Sequence, residues 1–376
     1  MNLLQKPTLY FLVLILILSA CETKKPEVAP TQQQKEYTLT DFQRALYEVQ
    51  LDSLLAKSDF NGVVSIRQKG ELLFQKTKGF ENFKEKTPNS DSSVFATASV
   101  SKQFAAVLTL QLAEQGKLKL DDSVSHYLSE FKKPRWNQIK ISQLLNHTSG
   151  IVDFAPNLAS TPGQQYHYSN KGINYVGKLL EAVTHQNLQE LQSQLFSQAG
   201  LQNTYSAADF IPKNFASAYT GPYKSVQVVS NMPMRLLNDQ IGLAAGGILS
   251  TAKDLHKWNQ TLYSGGLLSQ PSLEKMHNSE TKVVHPILGE IYYGYGIMKS
   301  PQQPESYFHT GYVKGSASLL LYYPQSQTSV VILSNHADER LGKQAIFRFH
   351  KEIKKQCDLI ELALEQMKKR GPYNFN

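Results

Sequence analysis

The chain has 376 residues, of which 41% are hydrophobic and 19% charged. That is a globular composition, and it excludes a disordered chain and a multi-span membrane protein. The formal charge is +8 and there are two cysteines, too few for a disulfide scaffold. Lysines and arginines are scattered apart from a Lys-rich patch near the C-terminus, so no nucleic-acid groove is expected.

Lys6 precedes an apolar run from Leu9 to Leu18. The run is too short to cross a bilayer as a helix, which takes about 20 residues, and it fits the apolar region of a secretory signal. Leu18-Ser19-Ala20-Cys21 resembles a bacterial lipobox. The resemblance implies a signal peptide over 1–20, an acylated Cys21 as mature N-terminus and an extracytoplasmic, membrane-anchored lipoprotein. The alternative is a plain signal cleaved nearby, with Cys21 coincidental. Several acyl chains anchor stably where one is marginal. Residues 21–38 are nearly free of large apolar side chains and read as a flexible tether. The body then spans 39–376.

Apolar residues at Phe42, Leu46, Val49, Leu51, Leu54 and Leu55 have helical spacing. Two strands follow, Val63–Gln68 and Glu71–Lys76, joined at Lys69-Gly70. Val100, Phe104, Leu108 and Leu112 repeat every four residues from Ser99 to Gln115, with Gly116 as a stop. Ala105, Ala106, Val107 and Leu110 make that helix apolar on several sides, so a buried position is expected. The middle, about 118–285, reads as short helices and loops, including Ile141–Asn146, Asn174–Val183 and Leu188–Ser197. Strands return at Ile291–Met298, Ser306–Thr310, Ala317–Tyr323 and Ser329–Ser334, with Pro324 and Gln325 at a turn. A helix from about Asp338 closes the chain. Strands near both ends with helices between them predict one sheet built from both termini (about 39–117 and 286–376) and a helical part (about 118–285). Near the C-terminus, Ile353, Cys357, Ile360, Leu364 and Met367 share one helical face, as in a helix packed on the body.

Ser99-Val100-Ser101-Lys102 places a serine and a lysine on one helical face, with Cβ atoms about 5–6 Å apart. A lysine there can deprotonate the serine if burial lowers its pKa. The positive end of the helix dipole favours the attacking oxygen. Ser-x-x-Lys also occurs at Ser129/Lys132, Ser250/Lys253, Ser272/Lys275 and Ser279/Lys282. Only Ser99 opens a long apolar helix; Ser250 reads as an N-cap for the segment from Thr251. Tyr168-Ser169-Asn170 supplies a phenol and an amide. A phenol beside a lysine can be held as phenolate and act as general base, and the amide can orient lysine or substrate. Tyr-Ser-Asn-Lys-Gly is equally good turn chemistry. His309-Thr310-Gly311 falls on an expected strand, where glycine permits close backbone approach and a substrate can lie alongside as an added strand. An ordinary strand-end histidine fits the same residues.

In the order Ser99, Tyr168, His309, these pieces resemble the active site of the serine β-lactamase and penicillin-binding DD-peptidase superfamily, in its class C-type β-lactamase-related branch. Phe95–Lys102 (FATASVSK), Gly116–Val124 (GKLKLDDSV), Ile141–Ile151 (ISQLLNHTSGI), Pro162–Lys171 and Gly242–Leu255 (GLAAGGILSTAKDL) resemble its characteristic blocks. The resemblance implies an α+β fold: an antiparallel sheet flanked by helices plus an all-helical subdomain, with the site between them. It implies Ser99 as acyl-accepting nucleophile, Lys102 and Tyr168 sharing acid/base work, and Asn170 contacting Lys102 and the substrate amide. His309, Thr310 and Gly311 would line the strand edge. The backbone N–H groups of Ser99 and Tyr312 would form the oxyanion hole, where one donor is worth ~2.7–4 kcal/mol. It implies no metal and no cofactor. Efficient β-lactamases usually carry lysine where His309 stands, whereas histidine is largely neutral at pH 7. That leaves a membrane-anchored serine hydrolase of peptide, amide or ester bonds, a D-Ala-D-Ala carboxypeptidase-like enzyme or an esterase with a peptidoglycan-derived substrate. The alternative is a catalytically weak penicillin- or peptidoglycan-binding or sensor protein on the same fold.

Overall fold

The computed structural model describes residues 38–208, 212–237, 241–278 and 281–369. The expected signal peptide, Cys21 and nearly all of the expected tether lie outside the described residues. The described residues from Thr40 onward form one unit, and its frame is an eight-stranded sheet. In chain order its strands are β1 (Gly62–Gln68), β2 (Glu71–Lys78), β3 (Lys282–His285), β4 (Gly289–Tyr293), β5 (Met298–Lys299), β6 (Tyr307–Val313), β7 (Ser316–Tyr323) and β8 (Thr328–Ser334). They lie side by side as β3-β4-β5-β6-β7-β8-β1-β2, every neighbour antiparallel. The N-terminal hairpin thus joins the sheet through β1 against β8, with Gly62 opposite Ser334 and Gln68 opposite Thr328. This is the α+β architecture.

The central strands read as continuous apolar runs because both faces of the sheet are covered. Val330 and Ile332 of β8 pack into one core, Val331 and Leu333 into another, which is the period of two that a strand imposes. On the first face lie the helices Leu39–Ala56 and Arg348–Lys369, which bury Tyr47, Leu51 and Leu55, and Ile353, Cys357, Ile360 and Leu364. Cys357 is a free, fully buried thiol. The other face shares a core with the helices Ser101–Glu114, Asn170–Thr184, Leu188–Ala199 and Ala252–Tyr263, the last of which packs on β8 and β1. The Ser101–Glu114 helix is buried along most of its length, and its Phe104 ring stacks on Trp258 at 3.7 Å.

Three local expectations change. The run Ile291–Met298 is two strands, because Tyr293-Gly294-Tyr295-Gly296 leaves the sheet after Tyr293. Gly296 (φ +63°) presses against the backbone of Lys102, where a Cβ would come too close to the Lys102 carbonyl carbon, at 2.8 Å. The helical part also carries short strands, Ile248–Ser250 and Tyr205–Ser206 among them, with Phe95–Ala96 from the N-terminal part pairing on the first. Ser250 ends one of these; the N-cap of the next helix is Thr251, whose side chain accepts the Asp254 N–H.

Candidate active site

The Ser99 segment is bent before the helix begins. Ala98 has φ +47° and starts a single 3-10 turn, Ala98–Val100, from which the α-helix runs on at Ser101. A left-handed conformation costs an alanine of order 1–3 kcal/mol. Burial of the Ala98 methyl and docking of the turn against β6 and β7 hold it there. The bend puts Ser99 beside the face that carries Lys102.

Lys102 is fully buried and meets three oxygens: Ser99 Oγ at 2.9 Å, Asn170 Oδ1 at 2.8 Å and the Ala245 carbonyl at 2.9 Å. Burial lowers its pKa to about 7, against a smaller opposing pull from Asp153. Asn170 Oδ1 and Ala245 O can only accept. A neutral amine donates its two protons to them and turns its lone pair to the remaining neighbour, the Ser99 hydroxyl. Loss of one proton near neutrality therefore converts Lys102 from a donor to Ser99 into an acceptor from it.

Tyr168 donates its hydroxyl to Ser99 Oγ at 2.8 Å, and its ring lies 4.9 Å from Lys102 Nζ. Burial of the phenol raises its pKa, only partly offset by the Ser99 contact. The raised pKa keeps the proton on Tyr168, whereas the Lys102 proton is held near neutrality. Tyr168 and Asn170 flank Ser169, the N-cap of the Asn170–Thr184 helix, whose Oγ accepts from Gly172 N and donates to Asp153 Oδ1. Asp153 also accepts the Lys171 N–H at 2.9 Å. That cap is the local reason both side chains face Lys102.

β6 forms the opposite wall. Its pairing with β5 ends at Phe308, while pairing with β7 runs on to the two-residue turn closed by Val313 and Ser316. In an antiparallel hairpin, hydrogen-bonded and non-bonded pairs alternate from the closing pair. Thr310 and Tyr312 therefore turn their N–H groups away from β7, toward the edge that β5 leaves open. Gly311 lies directly behind the Ser99 turn. A Cβ there would stand 3.1 Å from Ser99 N and collide with the Thr97 carbonyl and Ser318 Oγ. Tyr312 contributes its backbone, since its hydroxyl is taken by Glu339.

The His309 ring is wholly buried behind this edge, in a chain whose direction is fixed at both ends. Ser169 N donates to His147 Nδ1 at 3.2 Å, so the His147 proton is on Nε2, facing Tyr293 OH at 3.1 Å. Tyr293 then donates to His309 Nε2 at 2.8 Å, and His309 Nδ1–H donates to the Thr310 carbonyl at 2.6 Å. Burial pushes His309 down to about 3 and His147 well below its usual value. Both are neutral, so His309 supplies no cation to a substrate. The His147 ring also lies 4.4 Å from that of Tyr168. The chain thus ties the Tyr168 wall to the Thr310 edge. Tyr293→Phe orphans a buried donor and a buried acceptor, each costing about 1–3 kcal/mol. Steady-state kinetics on an ester substrate should show kcat reduced about tenfold and KM little changed.

Sequence reasoning did not reach His147, Tyr293 or Ala245. His147 lay within the stretch Ile141–Ile151 but had no assigned role. Tyr293 stood in an aromatic run without spacing that marks a site, and a backbone carbonyl such as Ala245 O has no sequence signature. Among the described residues no group of three or more His, Cys, Asp or Glu could hold a metal ion.

Comparison with known proteins fits this geometry. The sequence profile described as Beta-lactamase matches residues 50–351. The chain is 25% identical over 346 residues to a penicillin-binding protein of Bacillus subtilis, covering 80% of this chain and 74% of that one. It is likewise 25% identical over 322 residues to the teichoic acid D-alanine hydrolase of Staphylococcus aureus, covering 80% and 73%. The D-amino acid amidase of Ochrobactrum anthropi, solved with D-phenylalanine, superposes with a TM-score of 0.71 at 19% identity over 86% of this chain and 99% of that one. The amidase shares the fold. A family match over most of the body places the chain in the β-lactamase family, among the serine hydrolases related to β-lactamases and penicillin-binding proteins.

Proposed function

We propose that the protein hydrolyses amide or ester bonds of D-amino-acyl compounds through an acyl-enzyme on Ser99. The observation that carries this is the Lys102 amine, buried, held near a pKa of 7 and bonded to two obligate acceptors besides Ser99. In this reading Lys102 takes the Ser99 proton as Oγ attacks the carbonyl. The N–H groups of Ser99 and Tyr312 receive the oxyanion, and Tyr168 gives its proton to the leaving group and regains one from Lys102. In deacylation the same groups act in reverse on water. Asn170 holds Lys102 and the substrate amide, and an extended substrate lies along the Thr310–Tyr312 edge. The D-amino-acyl class rests on the relatives: one is named for D-alanine on teichoic acid, another for penicillin, and a structural neighbour for D-amino acid amides. A neutral His309 in place of lysine favours substrates whose recognition needs no fixed cation there.

The test is intact-mass spectrometry of the full chain with a fluorophosphonate and, separately, with a penicillin. A fluorophosphonate adduct in wild type that is absent in Ser99→Ala supports the reading; a penicillin adduct as well points to a D-Ala-D-Ala-like pocket. No adduct with either probe favours a binding or sensor protein, and an adduct surviving Ser99→Ala assigns the wrong serine.

The extracytoplasmic anchor on Cys21 is a further part of this proposal, supported by Lys6, the Leu9–Leu18 run and Leu18-Ser19-Ala20-Cys21. Wild type expressed in bacteria should partition into the detergent phase, and Cys21→Ser should move it to the aqueous phase. Equal partitioning of the two would remove the anchor.

A further inference from the structure

A second cavity, of about 350 Å³, opens between the β1–β2 turn and the Ala252–Tyr263 helix. That is the scale of small-molecule sites, ~300–1,000 Å³. Its lining includes Arg67 and Lys69 on the hairpin side and Lys253 and Lys257 on the helix side, and no carboxylate. Lys253 belongs to a Ser-x-x-Lys that the catalytic reading leaves unused.

Four cations line one cavity that no carboxylate lines, Arg67 half-buried and the three lysines exposed. Lys253 and Lys257 are i,i+4 on one helix face, where like charges destabilise by a few tenths of a kcal/mol. Among the described residues none of the four forms an ion pair with Asp or Glu. Arg67 is half-buried, and its Nη1 is anchored on the Gly70 carbonyl at 2.9 Å, which aims the guanidinium from the turn. Behind it His256 is fixed between Ser65 Oγ at 3.0 Å and Ser329 Oγ at 2.8 Å. Burial first, and Arg67 second, depress the His256 pKa to about 3, so the floor is neutral and polar while the walls are cationic. An uncompensated arrangement of this kind is what an anion with charge on several oxygens completes, Arg by its fork and the lysines as point charges.

We propose that this cavity binds a phosphate-bearing anion, one with at least two negative charges, at a site separate from Ser99. The separation follows from the register. Ser318 lies opposite Gly311 at the nucleophile, whereas Tyr322, which lines the cavity, lies opposite Tyr307 four residues away. That is about 13 Å at ~3.3 Å per residue, and the cavity extends from there across β8 to β1. The helix that carries the lysines meets the nucleophile helix through its other face, at Trp258 on Phe104. Charge changes in the cavity therefore leave Ser99 chemistry intact.

Titration calorimetry of the full chain with inorganic pyrophosphate at constant ionic strength tests the site. Saturable one-to-one binding is expected, weakened at least tenfold in Lys253→Gln/Lys257→Gln and in Arg67→Gln, and unchanged in Lys275→Gln, an exposed lysine outside the cavity. Fluorophosphonate labelling of Ser99 should proceed at the wild-type rate in all of them, which also shows that they fold. Competition by dihexanoyl phosphatidylglycerol below its micelle concentration identifies a lipid headgroup as an acceptable source. Pyrophosphate binding without that competition identifies soluble or polymer-borne phosphate. Absence of saturable pyrophosphate binding, or equal weakening by Lys275→Gln, overturns the proposal.

Discussion

Lys102→Met should abolish acylation, with kcat/KM and the rate of fluorophosphonate labelling falling by ~10²–10⁴, the range of a positioned general base. The substitution keeps the volume of the side chain and removes the amine that faces Ser99 Oγ. Lys102→Arg separates two accounts of the residue. Arginine keeps the positive charge but cannot lose its proton at any accessible pH, so it fails as a base. If Lys102→Arg stays active, the cation and not the free amine matters, and the assignment of Lys102 as base is lost. The pH profile gives an independent reading. With Lys102 lowered to about 7 by burial, kcat/KM in wild type should rise with pH through about 7. Stability should follow the same group. Between about pH 7 and the ordinary lysine range the unfolded chain holds this proton and the folded one does not. The unfolded state then binds more protons, so this contribution to stability grows as pH rises. Differential scanning calorimetry should show that upward trend in wild type and its loss in Lys102→Met.

The fold was readable because its signals are local. Four-residue spacing marked the Ser101–Glu114 helix, and the apolar runs around Val331 and Leu320 marked strands buried on both faces. The pieces of the site differ in how far they could be read. Ser99 and Lys102 are three residues apart, and the 3-10 turn that runs into the α-helix keeps that local spacing on one side. Tyr168 and Asn170 came from a three-residue motif that is equally good turn chemistry, and only folding decides that the Ser169 cap turns both toward Lys102. The third acceptor of Lys102 is a carbonyl 143 residues away. The state of His309 depends on Tyr293 and, through it, on His147, 146 residues from Tyr293. No periodicity records such a partner. The break after Tyr293 was missed for the same reason: the apolar and aromatic residues favour a continuous strand, and the Lys102 backbone against which Gly296 fits is distant in sequence.

Gly311→Ala should leave a folded but nearly inactive protein. The added methyl would stand well inside contact distance of the Thr97 carbonyl and of Ser318 Oγ, and 3.1 Å from Ser99 N. Neither the turn nor the strand can yield freely. Ser318 Oγ is bonded to the Thr97 carbonyl at 2.7 Å, and Gly311 is paired with Ser318 across the hairpin. The methyl therefore drives β6 away from the Ser99 turn and separates the N–H groups of Ser99 and Tyr312 that the proposed oxyanion hole requires. Loss of one such donor costs ~10²–10³ in kcat, and overpacking costs ~1–3 kcal/mol of stability. A lower melting temperature with an intact folded baseline, together with a 10²-fold or greater fall in kcat, is the expected pair of results. The double variant Gly311→Ala/Ser318→Gly decides the cause. It removes the hydroxyl obstacle but leaves the Thr97 carbonyl, which is backbone and cannot be trimmed, so activity should not return. Recovery in the double variant would mean that the strand tolerates the methyl once Ser318 is gone, and that the spacing between β6 and the nucleophile turn does not set the rate.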